Sequence, residues 1–283
     1  MLNFKSKTKE YIQIFYTATF ILILLCGKSN SSDLINSFSV KKLIFEEKIN
    51  INFSRDKVID KVFQESFEKI LKKILQTKDY SKIRRINLSE IKPLIQSFEI
   101  VEETFTKDKY KGVFNVVFNK KNLSIFLGKK NIIFSEPKET STIIFPILDD
   151  GKKILIFNDN IFYTSWMENK LESENINYIL PIEEIDEFNE LFKKNVEIEK
   201  VNLEKLAKRY NLKNSVTIIM KLANNDLSTF LKIKFNEKII YKNINYKIDN
   251  LNNSKTIQNI IQDIKNVYIT DYWKSLNTID FTS

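Results

Sequence analysis

Between residues 54 and 76, apolar side chains recur every three or four positions: Val58, Ile59, Val62, Phe63, Phe67, Ile70, Leu71, Ile74 and Leu75. That is the period of an amphipathic helix. Ser54 is placed as its N-cap, with Asp56 in the first turn where the helix dipole favours a carboxylate. Just before it, Ile49, Ile51 and Phe53 alternate with polar residues, as in a strand. The segment "NLSEIKPLIQSF" predicts a short helix with Pro93 in its first turn. Residues 98–105 and 110–118 then read as a hairpin around Thr106-Lys107-Asp108-Lys109, and "KKNLSIFLGKKN" as a short helix closed by Gly128. The span 43–134 is thus a strand–helix–hairpin–helix unit.

The order of elements changes after Pro137. "STIIFPIL" and "KKILIF" predict short strands across Asp149-Asp150-Gly151, followed by a helix near 162–172 and a strand, "INYILP", ended by Pro181. "IEEIDEFNELFKKN" and "NLEKLAKRYNL" have helical periods. "NSVTIIMKL", "LSTFLKIKFN" and "KIIYKNINYKI" alternate as a three-strand meander. The last helix carries Ile257, Ile260, Ile261, Ile264, Val267 and Tyr268 as its stripe. Alternating β and α elements followed by a meander predict an α/β (α+β) chain with a mixed sheet and a C-terminal helix. The expected division is a leader at 1–31, an N-terminal α+β domain at 32–136 and an α/β domain at 137–283.

The leader reading rests on Lys5, Lys7 and Lys9, which precede an apolar run of 15 residues from Tyr11 to Leu25. A basic start, a short apolar run and then small polar residues form the pattern of a secretory signal. A membrane span needs about 20 residues. Ser29 and Ser31 suit ordinary cleavage, with a mature chain beginning near Ser32 in the periplasm. The alternatives are lipid attachment at Cys26, which bulky Leu25 fits poorly, or an uncleaved membrane anchor.

Composition narrows the chemistry. Cys26 is the only cysteine, and there is no histidine. Triads and zinc sites that use those residues are excluded. With four glycines there is no G-x-G-x-x-G and no phosphate-binding loop. No cofactor, metal or catalytic residue is expected. The formal charge is +9, yet only Arg55, Arg84, Arg85 and Arg209 are arginine. Nucleic-acid readers favour arginine forks, so the lysines read as solvated helix faces and no nucleic-acid partner is expected. Asp149-Asp150 read as turn residues, and Glu183-Glu184-Asp186-Glu187 as acids at a helix start. Trp166 and Trp273 read as core.

The ordered set "FSRDKVIDKVFQESFEKILKKIL", "IQSFEI", "FNVVFNKKNLSIFLGKKNIIF", "EPKETSTIIFPIL", "ENINYILPIEEIDEFNE" and "LAKRYNLKNSVTIIMKL" resembles a bacterial envelope family, the domain-of-unknown-function family twenty-sixty-six, over residues 44–235. The second half also looks like the N-terminal α/β domain of TolB-type periplasmic proteins. The resemblance implies an exported envelope protein of unknown activity and supplies no catalytic residues. Its motif positions here are Pro181, Arg209 and Tyr210, for which a strand end, a helix-end cation and a buried ring are the structural readings.

The expected function is a non-enzymatic adaptor or assembly factor that contacts an envelope protein. The oligomeric state is left open. A ligand- or glycan-binding protein with a pocket near Tyr163 or Trp166 is the alternative. A carboxylate-based hydrolase using acids near Asp149 or Glu183 is the third reading.

Overall fold

Strands β1 (Ser39–Lys48), β2 (Ile95–Phe105) and β3 (Lys109–Phe118) form an antiparallel sheet in the order β1-β3-β2. The computed structural model describes residues 38–83, 86–168, 175–182, 203–248 and 253–279, and every structural statement concerns these. Helix α1 (Arg55–Ile74) lies on one face of this sheet, with α2 (Leu88–Ile91) and α3 (Lys120–Gly128) closing the same core. Tyr110, Phe114, Val116 and Phe118 of β3 are fully buried against Val58, Val62, Phe67, Ile70 and Ile74 of α1. Each such side chain contributes roughly 1.5–3 kcal/mol by leaving water, so this cluster carries most of the unit's stability.

Two local expectations are refined. Ser54 occupies the N-cap position, but its hydroxyl makes no capping bond. Gly128 is the last residue of α3, yet the left-handed turn falls on Asn131 (φ 54°).

The second sheet holds β4 (Thr140–Asp149), β5 (Ile154–Leu155), β6 (Ile176–Ile179), β7 (Ser215–Ala223), β8 (Asp226–Phe235) and β9 (Lys238–Lys247). Its order is β5-β4-β7-β8-β9, with β6 also beside β4. β4 runs parallel to β6 and β7 and the other pairs are antiparallel, so the sheet is mixed, as expected. Pro146 sits inside β4 at no cost to the ladder. Its carbonyl accepts from Asn160 Nδ2 at 3.0 Å, on the side away from β7, so its donor-less nitrogen faces that side too.

On one face, Ile144, Leu148, Val216, Ile218 and Leu231 meet Phe162 and Trp166 of α4 (Ile161–Glu168) and Ile257, Ile260 and Ile261 of α6 (Ser254–Asp263). On the other, Ile143, Phe145, Ile147 and Ile219 meet Leu203, Leu206 and Ala207, around α5 (Glu204–Arg209). The fold is an α/β arrangement ending in a helix.

That helix departs from the expected stripe. Ile264–Thr270 is a π-helical segment between α6 and α7 (Asp271–Ser275). The wider turn shifts the phase, so Ile264 is followed on the buried face by Ile269 and Trp273, while Val267 is turned outward. The expected assignment of Val267 to the stripe is therefore corrected to Ile269.

The layers meet at the C-terminus of α1, whose last carbonyls need partners. Lys274 Nζ donates to Lys72 O and Leu75 O, both at 2.6 Å. Asn175 Nδ2 donates to Lys73 O at 2.5 Å, and Ser135 donates to Ile74 O through its backbone (2.8 Å) and its hydroxyl (3.1 Å). The Asp271 carboxylate accepts from Thr77 N–H at 2.9 and 3.0 Å. Residues from Phe38 onward make one compact unit.

Candidate functional site

Cys26 and the acids Glu183, Glu184, Asp186 and Glu187 lie outside the described residues. Pro181 and Tyr210 are brought together. Tyr163 donates its hydroxyl to Pro181 O at 2.7 Å, and Ile182 N–H donates to the Tyr210 hydroxyl at 2.8 Å. Two tyrosines from α4 and the end of α5 thus grip the chain as it leaves β6. Buried backbone groups require such partners, and a structural role accounts for both positions. Arg209 lies exposed in the last turn of α5.

Asp149 and Asp150 are consumed by their turn. Asp149 Oδ1 accepts from Gly151 N–H at 2.9 Å, and Asp150 Oδ1 from Lys152 N–H and Lys153 N–H at 2.9 and 2.8 Å. The Lys153 and Lys152 amides hold the Asp150 carboxyl below its usual range. Gly151 takes φ 81° to close the turn. Trp166 and Tyr163, the rings named for a ligand pocket, are 5% and 6% exposed and sit in the core clusters on opposite faces of the second sheet.

Two arrangements escaped the sequence reading. Arg55, at the head of α1, forks onto Glu103 of β2 (Nε to Oε1 2.7 Å, Nη2 to Oε2 3.0 Å), and the Tyr110 hydroxyl donates to Glu103 Oε1 at 2.9 Å. The Arg55 guanidinium lowers the Glu103 pKa, while burial, aided by Glu103, pushes Tyr110 up to about 12. The group pins the first turn of α1 to the hairpin. Arg55 at a helix start was visible in the sequence and its partner across the hairpin was not; the strand expected through Ile49, Ile51 and Phe53 ends instead at Lys48, and Ile51 is exposed in a turn.

The second arrangement is a cleft of about 330 Å³ over β7, β8 and β9. Ile219 and Lys221 of β7, Ser228 and Phe230 of β8, and Asn243 and Asn245 of β9 line it. Tyr241 stacks on Phe230 with centroids 5.9 Å apart and planes 24° apart. Polar residues alternating with core residues in "DLSTFLKIKF" were the available signal. Only the strand register shows that they converge.

The outer edge of β2 also stands out. Among the described residues no strand pairs with it. Phe98, Val101 and Phe105 are 44%, 45% and 54% exposed along it. β9, an edge of the other sheet, carries Lys238, Lys242 and Lys247, the usual guard against stray pairing. β2 has neither lysine nor proline, but it carries Glu99, Glu102 and Glu103 and is irregular between Ile95 and Ser97 and between Ile100 and Glu102. Among the described residues no helix is long and apolar enough to cross a membrane, and no cluster of acids could hold a metal ion.

No family model matches the chain, and no curated protein matches it. Among solved structures, lipoprotein GNA1162 from Neisseria meningitidis is similar over 45% of this chain and 98% of its own, with 14% identity and a TM-score of 0.27. A likeness at that score carries no argument about fold or function.

Proposed function

We propose that this chain is an exported cell-envelope protein that works by protein contact, as an adaptor or assembly factor, rather than by catalysis. The observation that carries the reading is the edge of β2, with which no strand pairs among the described residues. The strand runs eleven residues with two irregularities, and Val101 and Phe105 are exposed along it. Such an edge accepts an extended segment of a partner by strand addition. The basic start and short apolar run of the first 25 residues, and the resemblance to an envelope family, support the location.

A photocrosslinking residue placed at Val101 in the full chain tests the reading in intact cells. The expected result is one discrete crosslinked envelope protein at position 101 and none at Lys242 on the guarded edge. Absence of a product at 101, or an equal yield at both edges, overturns it.

A further inference from the structure

We infer that the partner added to the edge of β2 is a short extended segment in which apolar and basic residues alternate. This rests on the strand-addition reading above and names its chemistry. The register divides β2 into two rows. Phe98, Ile100 and Phe105 lie opposite Val116, Phe114 and Tyr110, three fully buried residues of β3, so they belong to the helix-covered face. Glu99, Glu102 and Thr104 lie opposite Asn115, Val113 and Lys111 and belong to the wet face. Val101 is the extra residue of the bulge between Ile100 and Glu102, and it shifts the phase so that Phe105 joins the helix-side row.

That row is unfinished. Phe98 meets Phe63 of α1 with ring centroids 5.1 Å apart, and Phe105 meets Phe53 and Tyr110 at 6.3 and 5.0 Å. Both rings pack on the core, yet they stay 44% and 54% exposed because β2 has no outer neighbour among the described residues. Apolar side chains at alternate positions of an added strand would cover them.

The wet row sets the charge. Glu99 accepts from the neutral Asn115 amide at 2.9 Å. No ion pair or side-chain hydrogen bond joins Glu102 to another described residue. Lys111, opposite Thr104, is drawn to Glu46 of β1, 3.6 Å away. The third acid, Glu103, is on the helix side and is matched by Arg55 at 2.7 Å. Opposite charges across strands favour pairing and like charges oppose it, so Glu99 and Glu102 call for lysine or arginine on the added strand. A second copy docking β2 on β2 would set acids against acids. The carboxylates thus select among strands and do not close the edge.

The test is a titration of the ¹⁵N-labelled full chain with three short synthetic peptides, built as Lys-Val, Glu-Val and Lys-Ser repeats. The Lys-Val peptide is expected to shift the amides of Phe98, Glu99, Glu102 and Phe105. The Glu-Val and Lys-Ser peptides should each bind at least about tenfold more weakly. Glu99→Lys combined with Glu102→Lys should exchange the preference between Lys-Val and Glu-Val, whereas Glu68→Lys on the exposed side of α1 should leave it unchanged. Unchanged spectra with Lys-Val, equal binding of Lys-Val and either other peptide by the native chain, or a preference that survives the double substitution would each overturn the proposal. A crosslink at Val101 alongside any of those results keeps the adaptor reading and removes only its chemistry. Selective Lys-Val binding without a crosslink in cells removes the adaptor reading and keeps the chemistry of the edge.

Discussion

The first sheet buries one face under helices and wets the other, whereas the second packs core on both faces, with the second core gathered around β4 and the near part of β7. On the first, Glu46 accepts from Lys109 at 2.6 Å and lies 3.6 Å from Lys111, and Asn115 donates to Glu99 at 2.9 Å. The hydrogen bond from Lys109 holds the Glu46 carboxyl below its usual range. Away from the β2 edge, acids and bases on this face answer one another, which is how a solvated surface satisfies itself. On the second, Lys221, Ser228 and Asn245 are cross-strand partners, and in the next column Asp226 pairs with Lys247 at 2.6 Å. The edges differ too: β9 of the second sheet carries lysines, whereas β2 of the first carries Glu99, Glu102 and Glu103 beside exposed Val101 and Phe105. The architecture of a sheet therefore does not fix how its wet surface and its edge are used.

The largest expected effect comes from the joint between them. Lys274 is 3% exposed, and its ammonium serves two carbonyls at the end of α1. Lys274→Ala leaves Lys72 O and Leu75 O with only the Tyr80 hydroxyl, 3.3 Å from each. Buried acceptors left short of donors cost about 1–3 kcal/mol each, so the variant should lose about 2–4 kcal/mol in denaturant unfolding. Amide exchange should quicken first at Leu75 and Thr77 and leave β7 and β8 protected. A loss below about 1 kcal/mol, or loosening that starts in the second sheet, would show that the sheets do not depend on this contact.

Most elements were legible because their patterns are local. The period of α1, the hairpin of β2 and β3, and the β7–β9 meander all follow from apolar spacing and turn residues. What was not legible depends on distant register. The π-helical segment cannot be seen in a stripe, since Val267 and Ile269 are both apolar and only packing against the sheet selects Ile269. The cleft is invisible for the same reason, because Lys221, Ser228 and Asn245 are separated in sequence and meet only through strand pairing. The resemblance pointed at Pro181, Arg209 and Tyr210, and the structure brings Pro181 and Tyr210 together in a backbone grip.

A smaller effect is expected inside the first sheet at Gly112. A methyl group there would lie 2.5 Å from Phe114 Cε2, 2.7 Å from Phe114 Cζ and 2.8 Å from the Tyr110 hydroxyl. Both rings are fully buried, so neither can swing clear. Gly112→Ala should cost about 1–3 kcal/mol by overpacking and loosen the Tyr110–Glu103 bond, seen as a lower melting temperature. An Ala variant as stable as the native chain would mean that this face of the sheet is less tightly packed than the second sheet's core.

The smallest effect separates the sheets by pH. Each holds one tyrosine whose hydroxyl donates to a carboxylate, Tyr110 to Glu103 at 2.9 Å and Tyr246 to Asp263 at 2.8 Å. Burial is the first cause in both cases and the carboxylate the second. Tyr110 is pushed from the ordinary 10.0 to about 12, and Tyr246 is raised further. Above pH 10 the unfolded chain gives up these protons while the folded chain keeps them, so the unfolded state binds fewer and stability falls as pH rises. The contribution is whole below pH 10. The Tyr110 part is lost on the way to about pH 12, and the Tyr246 part continues to fall beyond it. Tyr110→Phe should flatten the stability curve between pH 10 and about 12 more than above it, whereas Tyr246→Phe should also flatten what remains at higher pH. Tyrosinate absorbance followed through an alkaline titration reads the same order directly. If both hydroxyls ionised together near pH 10, neither sheet would be shielding its tyrosine, and the dry faces of the two sheets would have to be redrawn.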